Sequence, residues 1–546
     1  MALKILIKKL FSPFEFLIKR HQRSRLRQIM RGYRLLKESG QMDKIALVKQ
    51  ALTEHCLGLK RNHFSALIMG AGKDFSELIT RQYLLVRFGG LDLNRALVRA
   101  SVDEKGKVIF PMPRQWRAVL MEHDFKIAHF RSAILWQFYV FAFLFYGMLQ
   151  IVRIAVTGLF DQSTINTNCK SYAFFMDLSS GNLPKINSGS HSYDVVSWYL
   201  QWPGRNAEIE EIRHSVADAS PVVVGNITVQ AQQAPLPSLA DRGVIVKYLL
   251  WGLRASLIAL FDCFRGRWWH ALLLNQAPMA AQARFLPGSS LAREYYFHNS
   301  GWIYRPLWSY EAERKGSSIL LYFYSTNCEG FKRPDGYPPM SYGWKAMNWP
   351  NYIVWDEYQA DFVRRAVGDE ANITVAGPIW FQSSCDDMPS IDKTGVAVFD
   401  VTPFRSSWYC LLGMDNEFYV PTVANPFLED VNSVTQQSGV LMLWKRKRNV
   451  GRIAHSEYRH LINQLEERSN VVLIDPDISA NRVIESSFAV ISMPYTSTAL
   501  IAKEMGKPSI YYDPSGKLQK DDRAAHGVEI INNKEDLSEW VKTFLA

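Results

Sequence analysis

Hydrophobic and polar positions fall into two regimes along the chain. From Tyr295 onward, short apolar β-prone runs alternate with amphipathic stretches of helical period. The runs predict strands at Tyr295–His298, Ser318–Tyr324, Tyr352–Trp355 and Ile373–Val375, with helices at Arg305–Lys315 and Asp361–Val367. A polar stretch, Gln382–Lys393, then reads as a linker. Beyond it the alternation resumes with strands at Val396–Phe399, Val440–Trp444, Val471–Ile474, Val490–Met493 and Ser509–Tyr512. Helices are expected near Ile453–Glu467, Ala480–Ser486, Thr498–Met505 and Lys534–Leu545. Strands separated by helices of this length predict parallel sheets.

The first half is less regular. Lys44–Leu59 reads as a helix, and Phe64–Met69, Val108–Phe110, Ala173–Leu178 and Val195–Tyr199 as strands. Asn187–Ser192 and Gln230–Ser238 read as loops. Gly70-Ala71-Gly72-Lys73 lacks the spacing of a phosphate-binding P-loop. Ala133–Val152 has no charged residue and is flanked by Lys126, Arg131 and Arg153. It is long enough to span a bilayer, to lie in one leaflet, or to form a buried core helix. A second apolar stretch, Val244–Phe264, leads into Arg265-Gly266-Arg267-Trp268-Trp269, a mixture suited to a membrane–water interface.

The net charge of +11 adds to that picture. A basic surface suits anionic lipid or phosphorylated substrates. In Met1–Arg34, basic residues interleave with apolar ones, as in a helix on an anionic leaflet or a charged helix packed on the body. No base-stacking module or recognition helix is visible, so nucleic acid is not expected as a partner. The six cysteines are scattered without metal-ligand spacing, so no metal is expected. Asp475 and Asp477 flank a proline and read as turn residues.

Candidate chemistry concentrates where predicted strands end. Pro494 stops a strand, and Thr496, Ser497 and Thr498 place hydroxyls at a helix start, an arrangement suited to an anion. Lys445, Arg446 and Lys447 follow the strand Val440–Trp444, at the edge where such sheets bind ligands. For a base or nucleophile the candidates are Glu329, in the long polar loop Ser325–Tyr342, then Asp400, then His298, with Asp356 and Glu357 more distant. Phe331, Lys332 and Tyr337 share the loop of Glu329, and His526 follows the last predicted sheet strand.

Three segments resemble the GT-B fold of glycosyltransferases: Ile353–Pro378, Ala489–Asp513, and the alternation of Val396–Ala546 as a whole. The resemblance implies an α/β protein with two Rossmann-like domains facing a cleft, with apolar membrane-facing helices inserted in the N-terminal half. The expected organisation is a basic helical segment (1–60), an acceptor-side domain (61–381) with insertions near 133–160 and 244–276, a linker (382–395), and a nucleotide-sugar donor domain (396–546). The step Pro494-Tyr495-Thr496-Ser497-Thr498 looks most like bacterial surface-polysaccharide transferases with cytidine-linked donors, including Kdo-, sialyl- and CDP-glycerol transferases. The His-Pro pair of the sialyltransferases is absent.

The resemblance thus implies transfer of Kdo or another ulosonic acid from a CMP-linked donor to a growing capsule or lipopolysaccharide glycan, or to a lipid-linked acceptor. The donor would be held by Lys445, Arg446, Lys447, Pro494, Thr496, Ser497, Thr498 and His526, without a metal or further cofactor. The reaction would run on the cytoplasmic face of the inner membrane, with attachment peripheral or monotopic. Alternatives are a CDP-glycerol-type phosphotransferase, a UDP- or GDP-hexose transferase, and a non-enzymatic membrane scaffold.

Overall fold

The computed structural model describes residues 44–45, 47–52, 91–102, 106–160, 170–184, 194–217, 219–332, 334, 336–338, 340, 342–379, 388–389, 395–403, 420–446, 454–494 and 496–545. Two sheets organise it. The first has eight strands: β1 (Tyr172–Phe175), β2 (Glu211–His214), β3 (Val222–Val224), β4 (Ile227–Ala231), β5 (Glu294–His298), β6 (Ser318–Tyr322), β7 (Asn351–Val354) and β8 (Ile373–Val375). Their spatial order is β3-β4-β2-β1-β5-β6-β7-β8, and only the β3–β4 pair is antiparallel. The second has six: β9 (Gly395–Phe399), β10 (Leu441–Lys445), β11 (Val471–Ile474), β12 (Ala489–Ser492), β13 (Ser509–Tyr512) and β14 (Glu529–Ile531). Its order is β11-β10-β9-β12-β13-β14, parallel throughout. This is the doubly wound arrangement, with its crossover between β9 and β12. The expectation of an α/β protein with two Rossmann-like sheets holds.

Central strands are buried on both faces, which is why they read as continuous apolar runs. All of β9 is buried, as are all of β1 and β12. β9 begins at a glycine because any side chain there would drive into Leu443 of β10, whose Cγ lies 2.7 Å from the site of a Cβ. The helix Thr498–Glu504 ends as its sequence predicts: Gly506 takes φ +72°, and the Lys507 N–H donates to the Ala502 carbonyl at 2.9 Å.

Several expectations need correction. Val195–Tyr199 is not a strand but the start of the helix Val195–Gln201. Asp194 caps it, accepting the Ser197 N–H at 2.8 Å and the Ser197 hydroxyl at 2.7 Å. The local cap outweighs the β-preference of Val195 and Val196. Gln230 and Ala231 belong to β4 rather than to a loop. Val108–Phe110 contributes only an isolated bridge between Val108 and Ile127. The helix Pro421–Gln437 escaped prediction because Pro426 lies inside it. The expected strand Phe64–Met69, the loop Asn187–Ser192 and nearly all of Met1–Leu59 fall outside the described residues.

The chain divides into two compact units. One comprises Met1–Lys60, Leu84–Ala142 and Ser406–Asn416; the other comprises Arg61–Tyr83, Phe143–Arg405 and Glu417–Ala546. Both sheets lie in the second unit, so the division does not run between them.

Candidate functional site

The carboxyl edges of both sheets share one cavity of about 270 Å³, within the second unit. From the first sheet come Tyr324, Ser325 and Asn327 after β6, and Trp355 after β7. From the second come Asp400 after β9, Lys445 and Arg446 at the end of β10, and Thr496, Ser497 and Thr498 after β12. Ser479 and Asn481 join them at the start of the helix that follows β11. The β9/β12 crossover therefore opens into the cavity, the place where an open α/β sheet binds ligands.

Asp400 is the most unusual group there. It is 1% exposed; Oδ2 accepts from the Tyr458 hydroxyl, and Oδ1 has no hydrogen-bonding partner among the described residues. Burial pushes its carboxyl up to about 6, although Tyr458, Trp444 and Arg446 pull the other way. Lys445, also buried, donates from Nζ to the Pro476 carbonyl at 2.9 Å. Burial brings its ammonium down to about 8 against the opposing pull of Asp477, Asp475 and Asp400. The Arg446 Nε is buried and has no partner among the described residues. A cavity lined by a carboxylate and a guanidinium that each keep an atom without a partner among the described residues is furnished for a polar ligand.

The hydroxyl step differs in detail from its expected form. Ser492 and Thr498 hydroxyls lie 2.9 Å apart, Thr498 donates to the Thr496 Oγ1 at 3.1 Å, and Thr496 donates to the Met493 carbonyl at 2.9 Å. Thr496 and Thr498 are thus occupied in shaping the turn. Ser497 caps nothing with its side chain and lies 3.5 Å from the Thr326 hydroxyl, across from the other sheet. The helix that begins at Thr498 has only seven residues, so its dipole adds little, and the side chains must carry any anion binding.

Glu329, the first-ranked base from sequence, is not among the cavity-lining residues. Arg365 takes both its oxygens, at 2.6 and 2.8 Å, and Arg523 donates to Oε1 from Nε at 2.9 Å. Burial alone would raise this carboxyl, but the two guanidiniums outweigh burial and hold it below its usual range. A carboxylate so paired is a poor proton acceptor, which counts against Glu329 as the base, and its place outside the cavity lining counts against either role, base or nucleophile.

Its loop neighbours serve the same end: Tyr337 donates to Asp522 at 3.0 Å and the Lys332 N–H donates to Asp522 at 3.1 Å. Asp356 and His526 make a further link, with Nδ1 2.7 Å from Oδ2. His526 is buried, outside the cavity lining, in a left-handed turn at φ +54°. These contacts fasten the loops after β6 and β7 to the segment before β14.

His298 ends β5 beside the β1/β5 crossover of the first sheet, with Nδ1 2.6 Å from the Ser300 Oγ. Its ring centroid is 6.2 Å from that of the cavity residue Tyr324, but His298 does not line the cavity. Burial lowers its pKa, with Asp177 opposing. Pro494 is buried in the turn behind the hydroxyls, and Glu357 opens the helix Glu357–Val367, capped by Asp356. Lys447 lies outside the described residues. No group of metal-ligating side chains is present among the described residues. Tyr324, Asn327, Trp355, Ser479 and Asn481 went unforeseen; their common signal is position just after a strand of either sheet.

These features define an α/β protein of one mostly parallel and one parallel sheet whose carboxyl edges share a cavity lined by charged and hydroxyl side chains. Over residues 251–541, more than half its length, the chain matches the family described as polysaccharide biosynthesis PFTS motif protein, and it belongs to that family. Pro494-Tyr495-Thr496-Ser497 departs from the tetrapeptide Pro-Phe-Thr-Ser only at Tyr495, and three of its residues are described at the cavity or directly behind it. Pro403-Phe404-Arg405-Ser406 departs only at Arg405.

Among solved structures, the chain is similar to the wall teichoic acid polymerase TagF, at 11% identity and TM-score 0.34, covering 73% of this chain and 84% of that one. It is similar to sucrose-phosphate synthase from Thermosynechococcus elongatus, at 11% identity and TM-score 0.35, covering 69% and 90%. It is also similar to an α,α-trehalose-phosphate synthase (UDP-forming) from Burkholderia xenovorans, at 11% identity and TM-score 0.32, covering 69% and 92%. Likeness this faint says nothing about substrate. No curated protein matches the sequence.

Proposed function

We propose that the protein is a glycosyltransferase of polysaccharide biosynthesis that uses a nucleotide-linked sugar. The observation that carries this reading is Asp400: a buried carboxylate lining the same cavity as Lys445 and Arg446, with one oxygen that has no hydrogen-bonding partner among the described residues. Glycosyl transfer needs a base for the acceptor hydroxyl and positive charge for the departing phosphate. Asp400, with a carboxyl near 6, is ionised at neutral pH and basic enough to take a proton. The acceptor oxygen then bonds to the anomeric carbon while the carbon–phosphate-oxygen bond breaks, the electron pair leaving on the phosphate. Lys445 and Arg446 oppose that charge, and Ser497 supplies a hydroxyl donor.

The finer reading is a CMP-linked ulosonic acid as donor and a surface glycan, free or lipid-linked, as acceptor. Two cations at the end of one strand suit the two anionic groups of such a donor, its phosphate and its sugar carboxylate. Thermal unfolding in the presence of CMP, CDP, UDP and GDP tests the proposal, since a ligand that binds the native state raises the midpoint. The expected result is a shift largest for CMP. A larger shift with CDP moves the reading to a glycerol-phosphate transferase, and one with UDP or GDP to a hexose transferase. No shift with any nucleotide favours the scaffold reading and removes this one.

A further inference from the structure

The helices His129–Phe160 and Arg242–Phe264 are each long and apolar enough to cross a membrane, yet only a third of each apolar window is buried. Within the second unit, the segment 143–160 leaves Phe145, Leu149, Val152, Val156, Leu159 and Phe160 exposed. The helix Arg242–Phe264 leaves Val246, Leu250, Leu253, Leu257, Phe261 and Phe264 exposed. With Tyr146 and Leu249, also exposed, the sets fall at 3.6 residues per turn in arcs of about 140° and 120°, so each helix shows one apolar face and hides the other.

The hidden faces run the length of the helices. Gly147 sits against the Leu274 carbonyl and Gly158 against the Leu239 carbonyl, where a Cβ would come within 2.4 and 2.3 Å. On the second helix Ile245, Tyr248, Gly252, Ala255, Ala259 and Asp262 are buried from one end to the other. Gly252 lets the helices touch, its missing Cβ falling 2.5 Å from Ile151. A helix docked along its whole length on the α/β body cannot cross a bilayer without carrying that body into the hydrocarbon.

Charge identifies what covers the apolar faces. Arg153 flanks the first stripe, and Lys247 and Arg254 flank the second, all exposed. Arg265, also exposed, lies over the Phe261 ring at 4.1 Å. These two segments carry one carboxylate, Asp262, which is buried with its Oδ2 2.6 Å from His270 Nδ1. Arg254 stands mid-helix, where in a spanning helix it would meet the centre of the hydrocarbon. In a helix lying flat, its stem follows the apolar surface and its head reaches the phosphates.

We propose that 143–160 and Arg242–Phe264 form a two-helix plate that lies in the plane of an anionic leaflet, apolar stripes inserted and flanking cations on the headgroups, without crossing it. Flotation of the full chain with vesicles of phosphatidylcholine, alone or with about one-third phosphatidylglycerol, tests this. Binding should require the anionic lipid. Lys247→Glu with Arg254→Glu should weaken it by about fivefold or more per cation. Leu250→Glu with Leu253→Glu should abolish it while leaving the melting temperature unchanged, because those side chains are 64% and 60% exposed. Alkaline carbonate should strip the protein from membranes. Resistance to carbonate would show a spanning helix and overturn the flat geometry. Absence of vesicle binding, or a dimer that the leucine substitutions dissociate, would overturn the lipid assignment in favour of a second copy.

Discussion

At the scale of single residues, the cavity sets two opposite tensions. Asp400 is a carboxyl moved from 3.8 to about 6, so the folded state holds its proton more tightly than the unfolded chain does. Its contribution to stability is full below pH 3.8 and is lost as pH rises through about 6. At neutral pH the ionised group costs about 3 kcal/mol. Asp400→Asn is therefore expected to unfold at higher temperature at pH 7, with the gain shrinking as pH falls below 6. The same variant should lose turnover by at least about a hundredfold while still binding nucleotide, the loss expected when a base is removed. Calorimetry across pH and single-turnover assays check both arms.

Lys445 acts in the other direction: burial brings it from 10.5 to about 8, and it is cationic only below that value. Nucleotide affinity should weaken as pH rises through 8, and Lys445→Arg should flatten that dependence because guanidinium stays charged. An unaltered pH profile in the variant would remove Lys445 from the phosphate site.

At the scale of elements, the loop after β6 fastens two sheets rather than performing chemistry. Glu329 is held by Arg365 and Arg523, while Arg523 lies over the Tyr337 ring at 3.8 Å. Glu329→Gln keeps the shape but discards the charge that two guanidiniums share. The expected outcome is a stability loss of about 1–2 kcal/mol by urea unfolding. Because the Glu329 pKa is lowered in the fold, that stabilising contribution is present at neutral pH and is lost as pH falls through the lowered value. A variant of native stability and no turnover would restore Glu329 to the active site.

The sequence placed this loop correctly after a buried strand, at the edge where α/β sheets put ligands. It could not show that residues far along the chain, near 522, approach to neutralise the loop's acid. Charge pairing across such a separation leaves no periodic mark in sequence.

At the scale of the whole molecule, a ligand in the cavity touches both sheets. Bound nucleotide should slow amide hydrogen exchange at residues 324–327 and 496–498 together. Protection confined to one set would place the nucleotide on that sheet alone.

Most of the elements that build the cavity were legible. β8, β11 and β13 match their predicted bounds, and β5, β6, β7, β9, β10 and β12 match to within two residues at either end. Each is a parallel strand, buried in the sheet centres and part-exposed in β8 and β11, whose apolar run and flanking turn residues are local properties of the chain. β2 was missed because its apolar residue sits among charged ones, β3 and β14 because each holds only three residues, and Val195–Gln201 was misread because an Asp cap outranked two β-branched side chains.

What the sequence determined by itself was therefore the alternation of strand and helix, the hydroxyl step Thr496–Thr498 with the cations after β10, and two helices too apolar to sit in water on every side. Each depends on residues within a few positions of one another. The tertiary structure decided which carboxylate stands in the cavity and which serves as a clasp. Asp400 directly follows β9, and Glu329 lies in the loop after β6. Only the packing of Tyr458 and Trp444 around one, and of Arg365 and Arg523 around the other, sets their opposite charge behaviour. Burial and long-range charge are properties of the folded neighbourhood, and they separate two residues that the sequence leaves alike.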